Sequence, residues 1–171
     1  MSDILSALKA DEDYKTFKNI VNESNKVVVS EVYDEMMKMH GKRSVRKLDG
    51  SEVTGIKLNK VMVNDLKGRS RAVELNAQIS MELGRLSIAY SAVKGHIMSK
   101  HADLLAGRSI ADRTMSFENL LYIKKAKARI AELESIQGIV DMIVEDIDKA
   151  SWTARNLVDV LNIGTKREYT T

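Results

Sequence analysis

The chain has no cysteine and no proline, and only 5% of its 171 residues are aromatic. Without cysteine there is neither a disulfide framework nor a thiolate metal site, which suits a reducing compartment. Average usage of about 5% would place roughly eight prolines in a chain of this length. Their absence leaves little to interrupt a long helix. Apolar runs long enough to span a bilayer are also missing, so no membrane association is expected. The stretch MSDILSALKADEDYK carries acids where a secretory signal would carry positive charge, and a cytoplasmic protein is expected. Glycine-rich phosphate loops, dinucleotide fingerprints and nucleophile elbows do not occur. Catalytic residues, cofactors and metal sites are accordingly not expected, and the chain reads as a non-enzyme.

What is present is helical periodicity. Ile79, Leu83, Leu86, Tyr90, Val93 and Ile97 alternate by steps of four and three, placing them on one stripe of an α-helix. Lys100 interrupts the stripe and Leu104 resumes it. The helix is predicted to begin between Asn64 and Ser70, both competent N-caps, and to end near Leu105 at Ala106-Gly107. At 1.5 Å per residue it would be about 55 Å long. A second helix is predicted from Thr114 or Ser116 to about Leu161, on the line Ile123, Ala126, Ile130, Leu133, Gln137, Val140, Val144, Ile147, Ser151, Ala154, Val158 and Leu161. Asn162-Ile163-Gly164 is read as its stop. A flanking line through Ile136, Ile139, Ile143, Ala150 and Leu157 makes this apolar face wider than a two-helix seam needs. The surplus calls for cover by N-terminal helices or by other subunits, and a homo-oligomer is expected.

The fold class that follows is mainly α: a long antiparallel helical hairpin over residues 67–171, preceded by shorter helices in residues 1–40. Residues 41–66 are the least helical part. Gly41, Gly50 and Gly55 punctuate them, and Asp49-Gly50 is a strong turn dipeptide. A small β-hairpin or a flexible basic arm is expected there. The lone Trp152 is read as a core residue, with a partner contact as its other use.

Charge is unevenly spread beneath a net of +3. Residues 1–35 carry four lysines against eight acids, and residues 130–150 one lysine against six. Residues 42–71 carry nine basic residues against three acids, and residues 94–129 eight against three. Two basic zones alternating with acidic ones suit a polyanion site or charge complementarity between copies. In an antiparallel hairpin, Lys94, Lys100, His101 and Arg108 would meet Lys124, Lys125, Lys127 and Arg129 at one end. There they could neutralise phosphates of single-stranded nucleic acid without reading bases. The competing reading is an ordinary solvated hairpin end. Arg43, Arg46, Lys47, Lys57, Lys60, Lys67, Arg69 and Arg71 form a second basic zone, either a further contact or a partner for acidic segments of a neighbour.

His96 and His101 are five residues apart, roughly 140° around a helix, and so are not expected to share a metal-binding face. They and His40 are read as solvated or packed. Asp141 and Glu145 share a face, read as salt-bridged surface.

The run Lys100-His101-Ala102-Asp103-Leu104-Leu105-Ala106-Gly107-Arg108, followed by a long amphipathic helix ending in ARNLVDVLNIG, resembles the recombination-mediator proteins of T4-like phages over residues 67–164. His101 stands where that family more often has arginine or lysine. The resemblance implies a small helical protein that assembles into a ring and binds single-stranded DNA at its hairpin ends. It further implies a RecA-like recombinase and a single-strand-binding protein as partners. A helical scaffold, assembly factor or inhibitor acting through protein contacts is the rival reading.

Overall fold

The computed structural model describes the backbone of residues 2–44, 55–107 and 109–168, and the side chains of residues 3–42, 55–107 and 109–160. Among these residues there are six helices and no strand: α1 (Ser2–Ala10), α2 (Glu12–Glu23), α3 (Val29–Ser44), α4 (Gly55–Lys100), α5 (Ile110–Glu118) and α6 (Leu121–Glu168). The mainly α class is thus the observed one. No described helix is long and apolar enough to cross a membrane.

The chain forms two compact units, Met1–Val29 with Gln78–Ser135, and Ser30–Ala77 with Ile136–Thr171. Both α4 and α6 contribute residues to each. In the first unit, Ile4 and Leu8 of α1 and Tyr14, Phe17 and Val21 of α2 pack with Leu86, Val93 and Ile97 of α4. Phe117 of α5 and Ile123 and Ala126 of α6 complete that core. Asp11 starts α2: its Oδ1 accepts from the Tyr14 N–H at 3.1 Å, and Glu12 and Asp13 complement the helix dipole.

In the second unit Val32 and Met36 of α3 are buried, as are Leu58, Ala72 and Leu75 of α4 and Ile136, Val140, Ile143, Ile147 and Ala154 of α6. Gly68 admits Met39, whose Sδ lies 2.8 Å from where a Cβ would stand. Arg69 bonds Asp148 and Asn76 bonds Asp141, so numbering rises along α6 as it falls along α4. The two segments run antiparallel.

Several predicted boundaries shift. Helix α4 starts at Gly55, well before Asn64, because buried positions recur every seven residues through Leu58, Asp65, Ala72, Ile79, Leu86 and Val93. The apolar pattern hid this stretch, since Asp65 and Ala72 occupy core positions. Residues 41–44 close α3 and residues 55–66 belong to α4, so neither is a flexible arm or a β-hairpin strand. The Asp49-Gly50 turn lies outside the described residues. One glycine costs a helix only about 1 kcal/mol, which tertiary packing outweighs. A separate helix, α5, spans both the expected loop and the expected start of the second long helix at Thr114 or Ser116, so α6 begins only at Leu121. Helix α5 is begun by Ser109 and Asp112, where each side chain accepts the other's backbone N–H, at 3.1 and 3.2 Å. At the far end α6 continues past Gly164 to Glu168. Trp152 is 68% exposed and is not a core residue.

Candidate nucleic-acid interface

Ile123 and Ala126 turn one face of α6 into the core of the first unit, which directs Lys124 and Lys125 outward. Lys125 Nζ lies 5.1 Å from the centroid of the Tyr122 ring, one turn earlier. From α2, Lys18 Nζ reaches the same ring, also at 5.1 Å. Tyr122 stands edge-on to Tyr14, with centroids 6.4 Å apart and planes at 89°. Burial, with Tyr122 alongside, pushes the Tyr14 hydroxyl above its ordinary value, so that wall of the site stays neutral. The result is an aromatic ring flanked by two ammonium groups, with Lys124 exposed on the same helix. Adjoining Lys125 is a cleft of about 370 Å³ lined by Asn22, Ser24, Asn25, Arg129 and Glu132.

Other residues of the expected site have different employment. Arg129 is buried, donating from Nε to Ser24 O at 2.8 Å and from Nη2 to Val27 O at 2.5 Å, and pairing with Glu132 at 3.1 Å. It holds the link between α2 and α3 and offers no free cation. Lys127 pairs with Glu118 at 3.1 Å. Lys94 is half-buried, and Arg108 lies outside the described residues.

Lys100 and His101 converge on Asp11, with Nζ and Nε2 respectively 3.0 and 3.1 Å from its Oδ2. His96 Nε2 meets the same oxygen at 2.9 Å, while its Nδ1 faces Asp13 Oδ2 at 3.0 Å. Burial alone would raise the Asp11 carboxyl. Hydrogen bonds from His96, His101, Lys100 and the Tyr14 N–H outweigh it and hold the group well below the usual carboxylate range. Separation of the histidines by 140° was expected from an unbroken helix. His101 still donates its backbone N–H to Ile97 O at 3.0 Å and so caps α4, but both rings turn onto Asp11 Oδ2 and approach to 6.0 Å.

Two arginines of the second basic zone are paired within the chain. Arg69 grips Asp148 through two bonds of 2.6 and 3.2 Å, and Arg71 binds Glu35 at 2.8 and 3.2 Å and Glu74 at 2.9 Å. For these two arginines the acidic partners come from the same chain, where the sequence suggests either a further contact or a neighbour's acids. Lys57, Lys60 and Lys67 are exposed on α4, whereas the Arg43 side chain, Arg46 and Lys47 lie outside the described residues.

Sequence reasoning missed Lys18 and Asp11. Counting charge in blocks conceals one lysine inside an acidic segment. The signal available for Asp11 was its place before the Tyr14, Phe17 and Val21 stripe, where an aspartate caps a helix. Compared with known proteins, the chain matches no family model, no curated protein and no solved structure.

Proposed function

We propose that this protein is a non-enzymatic, single-stranded nucleic-acid-binding accessory protein whose contact surface is built on Lys18, Tyr122, Lys124 and Lys125. The observation that supports this reading is the Tyr122 ring with ammonium groups 5.1 Å away from two different helices. A base can stack on the ring as a lysine swings off it to neutralise an adjoining phosphate, a combination that tolerates any sequence. On the family resemblance, its role is that of a recombination mediator helping a RecA-like recombinase displace a single-strand-binding protein. A homo-oligomer would multiply such weak contacts through effective concentration.

Fluorescence anisotropy with a labelled oligothymidylate, run from low to high salt, tests the proposal. Affinity is expected to fall steeply with salt, the logarithmic slope shrinking by about 0.7 for each phosphate contact removed. Alanine at Lys18, Lys124 and Lys125 together removes most of that slope, and Tyr122→Ala costs about 1–3 kcal/mol for each stacked base. Binding that ignores both salt and the triple variant would overturn the proposal.

One observation favours a second reading, a scaffold acting through protein contacts. Trp152, Met81 and Ile88 are each about seven-tenths exposed, at 68%, 69% and 73%, and exposed Trp is a frequent anchor of protein interfaces. An oligomer indifferent to nucleic acid favours that reading.

A further inference from the structure

The cluster on Asp11 brings together three groups that all ligate metals. Asp11 Oδ2 lies 2.9 Å from His96 Nε2 and 3.1 Å from His101 Nε2, and potential ligand atoms of the three residues lie within 4.8 Å of one another. Tetrahedral zinc with bonds of about 2.0–2.1 Å separates its ligand atoms by about 3.3–3.4 Å. The two separations from Oδ2 need to open by only a few tenths of an ångström to admit an ion.

Two further features orient the groups. The Tyr14 N–H occupies Asp11 Oδ1, leaving Oδ2 as a single directed ligand. Asp13 Oδ2 sits 3.0 Å from His96 Nδ1, the carboxylate–histidine arrangement that turns the other ring nitrogen toward a metal. Both nitrogens of His96 thus face carboxylate oxygens, which only accept. A neutral ring has one N–H to offer, so without an ion the second nitrogen needs a proton of its own. A cation between Nε2 and Oδ2 resolves the same conflict.

We propose that Asp11, His96 and His101 form a site for a zinc-like divalent transition ion, with water in the fourth position. Two imidazoles and one carboxylate suit such an ion better than magnesium or calcium, which prefer all-oxygen sites. Lys100 is the internal competitor. Its Nζ lies 3.0 Å from Asp11 Oδ2 and supplies the charge an ion would bring. With 60% of its side chain exposed, it can swing into water when the ion enters. Bound there, the ion would tie the start of α2 to the end of α4.

The test uses the full chain, stripped with a chelator and titrated with zinc against a chromophoric competitor. One zinc per chain is expected, and cobalt(II) should give the visible absorption of a tetrahedral site. Asp13→Asn should weaken binding by about 10–100-fold, and His96→Gln or His101→Gln by more than that. Lys100→Ala should tighten it, whereas His40→Gln should leave it unchanged. Asp11→Asn keeps a competent cap for α2, so loss of zinc with retained helicity by circular dichroism separates ligation from folding. Absence of stoichiometric binding, or binding indifferent to His96→Gln and His101→Gln, would overturn the assignment.

Discussion

Gly107 sits between the end of α4 and the Ser109 cap of α5 with φ of +117°, the one positive φ among the described residues. A Cβ there would stand 2.1 Å from Asp112 Cβ, the residue that completes the cap. Gly107→Ala therefore combines a strained backbone, worth about 1–3 kcal/mol, with a collision that displaces Asp112. The variant should unfold at clearly lower urea concentration than the parent, and α5 should lose amide-exchange protection first. At this scale the sequence was partly legible. A stop at Gly107 follows from residue type, because glycine alone accepts such backbone freely. The reciprocal bonds of Ser109 and Asp112 follow from an S-x-x-D spacing that apolar periodicity does not register. The meeting of His96 with His101 follows from neither, since both rings turn onto Asp11, the cap of another helix.

Among elements, α4 and α6 owe their length to packing as much as to propensity. Their interiors include Gly68, Gly84, Gly95 and Gly138, each a local cost of about 1 kcal/mol relative to alanine. Gly138 is exposed and a Cβ there meets nothing within 4 Å. Gly138→Ala is expected to stabilise the chain by about 0.5–1 kcal/mol and raise the melting temperature by about 1–4 °C. Gly68→Ala should gain less, because its Cβ would press on Met39 Sδ; differential scanning calorimetry of both variants measures the contrast. The stripe from Ile79 to Ile97 was visible in the sequence because every turn supplies a large apolar residue. The earlier turns of α4 were not, because Asp65 is buried where a search for apolar residues sees a break.

Across the whole molecule, alternating charge blocks are matched at named pairs within the chain. Arg71 holds Glu35 and Arg69 holds Asp148, and hydrogen bonds from the arginines keep both carboxyls below their ordinary values of 4.5 and 3.8. A depressed carboxyl stabilises the fold fully above its unfolded value and loses that contribution as the pH falls through the folded one. Stability should therefore decline on acidification below about pH 4.5, where Glu35 protonates first in the unfolded chain. The pairs are half-exposed, so solvent and salt keep the effect modest. Arg71→Ala should lower the urea midpoint slightly at neutral pH and shrink the further loss on acidification; an unchanged acid dependence would exclude Glu35 as its source.

Helical class was decided by the sequence alone, because absent prolines and steps of three and four act through bonds four residues apart. The chemistry of the charged residues was decided only by tertiary structure. Partners that remove Arg129, Lys100 and Arg69 from the pool of free cations lie 105, 89 and 79 residues away. No local pattern encodes such pairs. Packing α2 against α4 and α6 brings Lys18 to Tyr122 and Asp11 to two histidines, the contacts on which both proposals rest.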